Sequence, residues 1–330
     1  MTDERLELEQ LRQARIGSHS AFRALVEPYQ AELQRHCYRM TGSLDDADDL
    51  VQETLFRAWR ALGSYVSRGS FRAWLYRIAT NRTLDLIKST PYRSEIVNSA
   101  GEPAWLQPYP PPYGIDETVE AAERLETIGL AFVVALQRLP GRQRSALLLC
   151  DVLGFTPAEA AESLGCSVAA ANSMLQRARA RMADVRPVTH AAPSNHEQKQ
   201  LADRFVEAWR HADTDAMMRL LDDAVHITMP PQALEWAGRI AVVEMLMDIA
   251  PSGDPTLLRF VPTEANAEHG FATYVRAPGS ERFDRHCIML FGTATPAAAK
   301  ITGFTEDRIF DLLDLPAAVG RDSPPLTPRR

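Results

Sequence analysis

Residues 156–181, TPAEAAESLGCSVAAANSMLQRARAR, decide how the rest of the chain is interpreted. Thr156 and Glu159 form the Thr-x-x-Glu pattern of a capping box, and Pro157 occupies the first helical position, so a helix is predicted to begin here. Gly165 is predicted to end it, because glycine adopts the left-handed conformation of a helix end at little cost. The stretch therefore predicts two short helices joined by a tight turn.

The second helix, capped by Ser167, has two different faces. Apolar residues recur at three- and four-residue steps along one face: Val168, Ala171, Leu175, Ala178 and Met182. Hydrogen-bonding and cationic residues occupy the other: Asn172, Ser173, Gln176 and Arg177. This arrangement is typical of a helix-turn-helix DNA reader. An ordinary packed helical hairpin shows the same pattern, so the rest of the chain has to decide between the two.

Length and composition restrict the class of protein. A chain of 330 residues predicts two or three domains, and its net charge of −7 is unlike that of a free-standing duplex binder. A DNA role then needs local basic patches, or a partner that supplies most phosphate contacts. The four cysteines form no Cys-x-x-Cys pair, which favours reduced thiols in a cytoplasmic protein and predicts no metal site. A charged N-terminus and short apolar runs predict neither a secretory signal nor a membrane span.

Residues 20–62 read as two amphipathic helices. The second, LDDADDLVQETLFRAWRAL, carries Asp49, Gln52 and Glu53 side by side on its exposed side. Such a face is either simply solvated or a docking surface for another protein.

A third helix is predicted after Ser70, preceded by the loop SYVSRG at residues 64–69. Its outer surface interleaves aromatic, cationic and amide side chains, among them Tyr76, Arg77, Asn81 and Arg82. Rings stack on bases and guanidinium groups meet phosphates, so this surface suits single-stranded nucleic acid. The alternative is that the aromatic residues simply pack.

Composition shifts divide the chain into segments. The proline-rich residues 90–120 are predicted to be a linker rather than a folded unit. The predicted organisation is two all-α domains followed by an α+β domain, with these bounds: helical domain 1–89, linker 90–120, helix-turn-helix domain 121–186, linker 187–196, α+β domain 197–315 and disordered tail 316–330.

The sequence of the α+β domain predicts helices first and then strands. Apolar and polar residues alternate along the strand segments, which predicts a curved antiparallel sheet. Candidate residues for a ligand pocket are His226, Trp236, His269, Tyr274 and His286. Scattered histidines on strands are more often structural than catalytic.

Taken together, these motifs resemble bacterial sigma factors of the extracytoplasmic-function group, over roughly residues 20–186. DADDLVQETLFRAWRAL looks like the helix with which that family docks on the clamp of RNA polymerase, on its β′ subunit. The resemblance implies that Asp49, Gln52 and Glu53 contact the polymerase. It also reconciles the negative charge with a DNA role, because the polymerase supplies most phosphate contacts.

The same resemblance assigns two promoter-reading segments. GSFRAWLYRIATNRTLDLI looks like the segment that melts and reads the −10 element, and the helix-turn-helix looks like the reader of the −35 element. The implied −10 residues are Tyr65, Arg68, Tyr76, Arg77, Asn81 and Arg82. The implied −35 residues are Asn172, Ser173, Gln176 and Arg177, where Asn and Gln stand in positions at which relatives often place more Arg.

The third domain is similar to SnoaL-like cones of the NTF2 type, which follow the sigma domains in a subset of the group. Two roles are open for it: an enzyme using histidine, aspartate or tyrosine in a conical pocket, or a regulatory module that senses a small ligand in place of a separate anti-sigma protein. We expect regulation, with no cofactor.

Two other interpretations of the function of the whole chain remain open. A ligand-responsive helix-turn-helix regulator would have no use for a polymerase-docking helix followed by a strand-opening helix. A stand-alone enzyme predicts a metal or nucleophile motif, and the sequence contains no His-Glu-x-x-His, no Gly-x-Ser-x-Gly and no phosphate loop. The chain is therefore not predicted to be an enzyme.

Overall fold

The protein is described here from a computed structural model that covers residues 2–65, 70–89, 105–110, 129–183, 195–230, 232, 234–292 and 298–320. The chain forms two compact units. The first comprises residues 1–91 and 135–184, and the second comprises residues 92–134 and 185–330. The predicted order, helical domains first and an α+β domain last, is confirmed. No helix in these ranges is long and apolar enough to cross a membrane.

The first unit begins with a four-helix bundle: α1 Thr2–Arg15, α2 His19–Thr41, α3 Leu44–Ala61 and α4 Phe71–Ser89. Gly42, at a φ of 73°, ends α2, and the Ser43 side chain accepts a hydrogen bond from the Asp46 amide to start α3. A short 3-10 turn, Leu62–Ser64, follows α3. These caps fix the corner between α2 and α3.

The helix-turn-helix part follows: α5 Leu130–Gln137, whose residues up to 134 are assigned to the second unit, and then α6 Gly141–Leu147, α7 Pro157–Ser163 and α8 Val168–Ala183 of the first. A π-helical turn, Leu148–Val152, extends α6. The buried Arg144 ties this part to the bundle. It donates to the carbonyls of Met40, Gln137 and Leu139, and burial lowers its pKa to about 9, so that it remains charged at neutral pH.

The second unit contains the helices α9 Asn195–Arg210, α10 Thr214–Leu220, α11 Arg239–Asp248 and α12 Asp307–Leu312. Its strands are β1 Leu221–Thr228, β2 Glu235–Ala237, β3 Leu258–Ala265, β4 Glu268–Val275, β5 Arg282–Gly292, β6 Ala298–Phe304 and β7 Ala318–Gly320. They form one sheet in the order β2-β1-β6-β5-β4-β3, and β7 pairs with β5.

The antiparallel pairing predicted for the alternating segments is confirmed for β3, β4, β5 and β6, whereas β1 joins them differently. β1 and β6 run parallel, with Ile227 opposite Ile301. Antiparallel pairing follows naturally from hairpins between consecutive strands, whereas β1 and β6 are separated by the rest of the domain and can meet in either direction.

Aromatic side chains fill the space between the helices and the sheet. Phe205 and Trp209 of α9 pack on Phe260, Phe271 and Phe291 of the strands, and all five are less than a tenth exposed. Ring centroids lie 5.0 Å apart for Trp209 and Phe260, and 5.2 Å apart for Phe205 and Phe291. This face of the sheet is therefore a packed core.

Two predicted boundaries need correction. The tail predicted to be disordered from residue 316 contains β7, whose Val319 pairs with Phe283. The linker predicted at 90–120 includes residues 105–110, which have no regular secondary structure but are largely buried within the second unit. The rest of that linker and the linker at 187–194 lie outside the described residues.

Candidate polymerase and promoter interfaces

The helix-turn-helix starts as the capping box predicts. The Glu159 amide donates to Thr156 Oγ1 at 3.3 Å, and the Thr156 amide donates to Glu159 Oε2 at 2.8 Å. The Thr156 amide and hydroxyl both donate to the Glu159 carboxylate and lower its pKa. Gly165 has a φ of 59°, the left-handed conformation that its position requires. The turn between α7 and α8 is thus formed as predicted.

The recognition helix α8 has one buried face and one exposed face. Ala171, Met174, Leu175 and Ala178 are buried against the rest of the domain. The four predicted DNA-reading residues are all exposed: Asn172, Ser173, Gln176 and Arg177. Val168 lies at the start of the predicted apolar face but is 46% exposed, and Met174, which the prediction did not include, is 8% exposed.

The arginines of α8 differ in their partners. Arg179 makes two bonds to the carboxylate of Asp151, at 2.6 and 2.9 Å, and Arg181 donates to Gln143 at 3.2 Å. Among the described residues, Arg177 makes neither an ion pair nor a hydrogen bond. Arg177 is therefore available for a ligand in a way that Arg179 is not.

The predicted polymerase-docking face lies on α3. Asp49 and Gln52 are exposed, and Glu53 is half-buried, 2.5 Å from Arg57 Nε and 3.8 Å from Arg82 Nε. The hydrogen bond from Arg57 lowers the pKa of the Glu53 carboxyl. The three residues share one surface, since Gln52 and Glu53 lie three and four positions after Asp49 on a helix.

Phe56, 56% exposed, belongs to the same surface of α3 and is not among the residues predicted from the sequence. It lies one turn after Gln52, and Arg60 stacks over its ring at 5.7 Å. A large apolar side chain on the polar side of an amphipathic helix is the signal that could have found it.

The residues predicted to read the −10 element differ in their exposure and in their partners. Asn81 is exposed, and Arg82 pairs with Asp85 at 3.1 Å and with Glu53. Tyr65 is 7% exposed and packs on Phe71 and Trp74. Arg68 lies outside the described residues.

Tyr76 is fully buried, so its predicted place on the outer surface is wrong for this structure. Its hydroxyl donates to Glu32 Oε2 at 3.3 Å, and its ring lies 5.4 Å from that of Phe155. Burial raises the pKa of the Tyr76 phenol. The sequence could not show this burial, because Phe155 is nearly eighty positions away.

One side of α4 packs on the helix-turn-helix. Arg72 Nη1 donates to the Leu153 carbonyl at 3.2 Å, and Arg77 pairs with Glu162 at 3.3 Å. The two segments predicted to read DNA are therefore in mutual contact within the first unit.

The five candidates for a ligand pocket in the second unit lie on four different strands. His226 is on β1, Trp236 on β2 and His269 on β4, where its Nδ1 is 3.9 Å from Glu264. Burial lowers the pKa of His269. Tyr274 on β4 is buried and donates to the Pro316 carbonyl at 2.9 Å, whereas His286 on β5 is exposed. No cluster of residues that could hold a metal ion occurs within the described ranges.

Comparison with protein families defines the class. Residues 25–90 match the Sigma-70 region 2 model, and residues 130–182 match the Sigma-70 region 4 model. The first range runs from within α2 to the end of α4, and the second runs from α5 to the last turn of α8. The two helical parts are thus those of a sigma-70-type factor.

Similar proteins define the family. The chain is 36% identical over 318 residues to the ECF RNA polymerase sigma factor SigG of Mycobacterium tuberculosis (strain ATCC 25618 / H37Rv), with 89% of this chain and 84% of that protein covered. It is 31% identical over 204 residues to SigJ of the same strain, with 61% and 62% covered. The chain belongs to the family of extracytoplasmic-function RNA polymerase sigma factors, and the resemblance inferred from sequence is confirmed. Sigma factors bind core RNA polymerase and promoter DNA.

A solved structure supports the whole architecture. The crystal structure of Mycobacterium tuberculosis extracytoplasmic function sigma factor SigJ superposes with a TM-score of 0.63 at 22% identity, covering 88% of this chain and 99% of that one. The likeness extends beyond the two sigma regions into the helix-plus-sheet domain.

Proposed function

We propose that α8 reads the −35 element through Asn172, Ser173, Gln176 and Arg177, and that α3 docks on the polymerase clamp through Asp49, Gln52 and Glu53. The observation that carries the first assignment is the exposure of all four residues on the face opposite the buried core of α8. Arg177 and Gln176 have the side chains that pair with guanine and adenine edges in a major groove.

The test is in vitro transcription by the full chain with core RNA polymerase on fragmented genomic DNA, followed by mapping of RNA 5′ ends. Gln176→Ala and Arg177→Ala should relax the base preference at one or two −35 positions, because each contact is worth about 1 to 3 kcal/mol of discrimination. The preference at −10 should not change.

Arg179→Ala is the matched control, since Arg179 lies on the same helix but is held by Asp151. It should leave the −35 preference unchanged. An unaltered −35 preference in the Gln176 and Arg177 variants would contradict the assignment.

The −10 assignment is proposed for Asn81 and Arg82 in the present conformation, and for Tyr76 and Arg77 after α4 separates from the helix-turn-helix. Arg68 and Tyr65 complete the proposed set. Arg77 and Tyr76 become available to bases and phosphates only when their contacts with Glu162 and Phe155 are broken.

We further propose that the C-terminal domain modulates initiation by binding, without catalysis, and that it does so by holding part of the connector between the two sigma regions. Residues 105–110 lie between those regions in the chain, yet they belong to the second unit. The Tyr109 amide donates to Asn266 Oδ1 at 2.6 Å, and the Asn266 amide donates to the Tyr109 carbonyl at 2.8 Å.

The burial of Asn266 supports this contact. It lies in the two-residue turn between β3 and β4, where both Asn266 and Ala267 have positive φ, as a tight hairpin requires. Hairpin tips are normally exposed, but Asn266 is 1% exposed. Leu106, Gln107 and Tyr109 are buried as well, so the segment and the hairpin tip cover each other. A separate anti-sigma protein or a ligand of the second unit would act on this contact.

A further inference from the structure

Val168 is an apolar side chain that α8 leaves in solvent. It is 46% exposed, and no other large apolar side chain is exposed among the described residues 130–183 of the helix-turn-helix part. Ala171 and Leu175 follow it on the same face, three and seven positions later, and both are buried. Packing within the domain therefore uses the rest of this face and leaves much of Val168 accessible to a ligand.

The end of α8 that carries Val168 is held in one conformation. Ser167 Oγ accepts a hydrogen bond from the Ala170 amide at 3.2 Å, and the Ser167 carbonyl accepts one from the Ala171 amide at 3.0 Å. These are the bonds of an N-cap, so they fix the residue at which the helix begins. A valine in a helix has essentially one rotamer, so Val168 loses little conformational entropy when a ligand covers it.

Between residues 168 and 177 the exposed side chains of α8 become longer along the helix. Four short ones are followed by two long ones, in the order Val168, Ala169, Asn172, Ser173, Gln176 and Arg177. Short side chains allow the backbone at the start of the helix to come close to base edges, and helix-turn-helix proteins contact bases with the N-terminal residues of the second helix. The start of α8 is therefore the part at which a side chain as short as valine can reach a base.

An apolar side chain in the major groove has one base-specific partner. The C5 methyl group of thymine is the only methyl group that the four standard bases present there, and apolar side chains recognise it by direct contact. Asn172 lies one helical turn after Val168, and asparagine pairs with the N6 and N7 edge of adenine. The sequence of α8, Val168–Ala183, contains no acidic residue that DNA would repel.

We propose that Val168 selects a thymine in the −35 element by contact with its C5 methyl group, close to the base pair that Asn172 reads. This contact rests on the proposed reading of the −35 element by α8, and it adds to that reading a residue and a base. One helical turn rises about 5.4 Å and one base-pair step about 3.4 Å, so the thymine should lie about one or two base pairs from the one that Asn172 contacts.

The test removes single methyl groups from the DNA. A promoter identified by mapping RNA 5′ ends is synthesised with each thymine of its −35 element, on either strand, replaced in turn by deoxyuridine. Deoxyuridine pairs with adenine as thymine does, so only the methyl group changes. The apparent Kd of the full chain with core RNA polymerase should rise about three- to fourfold for one replacement, as expected when the burial of one methyl group is lost.

A variant and a control assign the methyl contact to Val168. Val168→Ala keeps the Ser167 cap and favours the helix, so it should fold, and it should bind the thymine and deoxyuridine promoters equally. Ile240→Ala is the matched control, because Ile240 is also a β-branched residue in the first turn of a helix and is 67% exposed, but it lies on α11 of the second unit. It should leave the effect of deoxyuridine unchanged.

Three outcomes would overturn the proposal. The first is a −35 element in which no replacement of thymine weakens binding. The second is the same effect of deoxyuridine in Val168→Ala and in the wild-type chain, which would assign the methyl contact to another residue. The third is weaker binding of Val168→Ala to core polymerase with unchanged base preference, which would make Val168 a protein contact.

The variants Gln176→Ala and Arg177→Ala separate these outcomes from a failure of the proposed function. A relaxed −35 preference in those variants would leave the reading of this element by α8 in place, even if the contact of Val168 with thymine were absent. An unaltered preference in them would remove both proposals.

Discussion

At the scale of single residues, His36 shows how strongly burial in the first unit changes the pKa of a titratable group. It is 1% exposed, its Nε2 lies 3.0 Å from Thr80 Oγ1, and its ring meets that of Tyr76 edge to face at 5.2 Å. Burial, with smaller contributions from the charges of Arg39 and Arg72, lowers the pKa of His36 to about 3. The imidazole is therefore neutral in the folded protein across the physiological range.

This shift predicts a loss of stability in mild acid. Below its ordinary pKa of about 6.5, the unfolded chain binds a proton at His36 that the folded chain does not, so the free energy of unfolding falls as the pH falls towards 3. Between about pH 7 and pH 5.5 the loss from this residue is about 1 kcal/mol.

Urea unfolding of the full chain at the two pH values measures this loss. His36→Gln, which keeps a polar side chain near Thr80 but cannot ionise, should show a pH dependence smaller by that amount. An equal pH dependence in the variant and the wild-type chain would show that His36 is not the titrating group.

The residue scale also shows what the sequence can predict. The capping box and the exposed polar face of α8 are set by residues three or four positions apart, and both are found as expected. Tyr76 is different, because its burial depends on Glu32 and Phe155, which are distant in sequence. Local spacing places a side chain on a face of a helix but does not say which other helix covers that face.

At the scale of elements, the β3–β4 turn offers a clean test of the connector contact. Asn266→Gly keeps a residue that tolerates positive φ but removes the acceptor of the Tyr109 amide. We expect the protection of this amide against hydrogen exchange to fall by about 1 to 2 kcal/mol, since its donor would be left unsatisfied.

Ala267→Gly is the matched control. It relieves a positive φ of 56° without touching the bond to Tyr109, and it should stabilise the turn by about 1 kcal/mol. If both variants left the exchange rate of the Tyr109 amide unchanged, the connector contact would not exist in solution.

The strand pairings also show which part of the sheet can be predicted from the sequence. Alternating residues identify β3, β4 and β5, and hairpin order makes their pairing antiparallel. The parallel β1–β6 pairing and the addition of β7 to β5 join residues far apart in the sequence, and alternation carries no information about such partners. The sequence predicts a linker at residues 105–110 because a proline-rich segment has no hydrophobic periodicity that would indicate burial.

At the scale of the whole molecule, the contact between α4 and the helix-turn-helix conflicts with simultaneous promoter binding. The −10 and −35 elements are centred about 25 base pairs apart, which is about 85 Å of duplex at about 3.4 Å per base pair. Segments joined through Arg77 and Glu162 cannot reach both elements at once. If α4 reads the −10 element and α8 reads the −35 element, as proposed, the first unit has to open when the factor engages a promoter.

Removal of the C-terminal domain should change promoter activity. A chain truncated after Arg186 no longer has Asn266 to hold the connector, so we expect transcription from the same promoters to rise about fivefold, a coupling of about 1 kcal/mol. Run-off transcription at matched occupancy of core polymerase measures the change. Asn266→Gly should shift activity in the same direction, and equal activity of all three proteins would remove the regulatory role.

β7 lies near the end of the chain, so the ribosome makes it after both sigma regions. Residues 315–320 add late contacts to the second unit: Arg285 donates to the carbonyls of Leu315 and Pro316, and β7 pairs with β5. The ribosome has by then finished both sigma regions, the second of which ends at residue 182. At about 5 to 20 residues per second, each nascent chain spends on the order of ten seconds with finished promoter readers and an unfinished C-terminal domain. If the C-terminal domain restrains initiation as proposed, the complete restraint is available only afterwards, so every newly made molecule passes once through a stage in which it is not yet restrained.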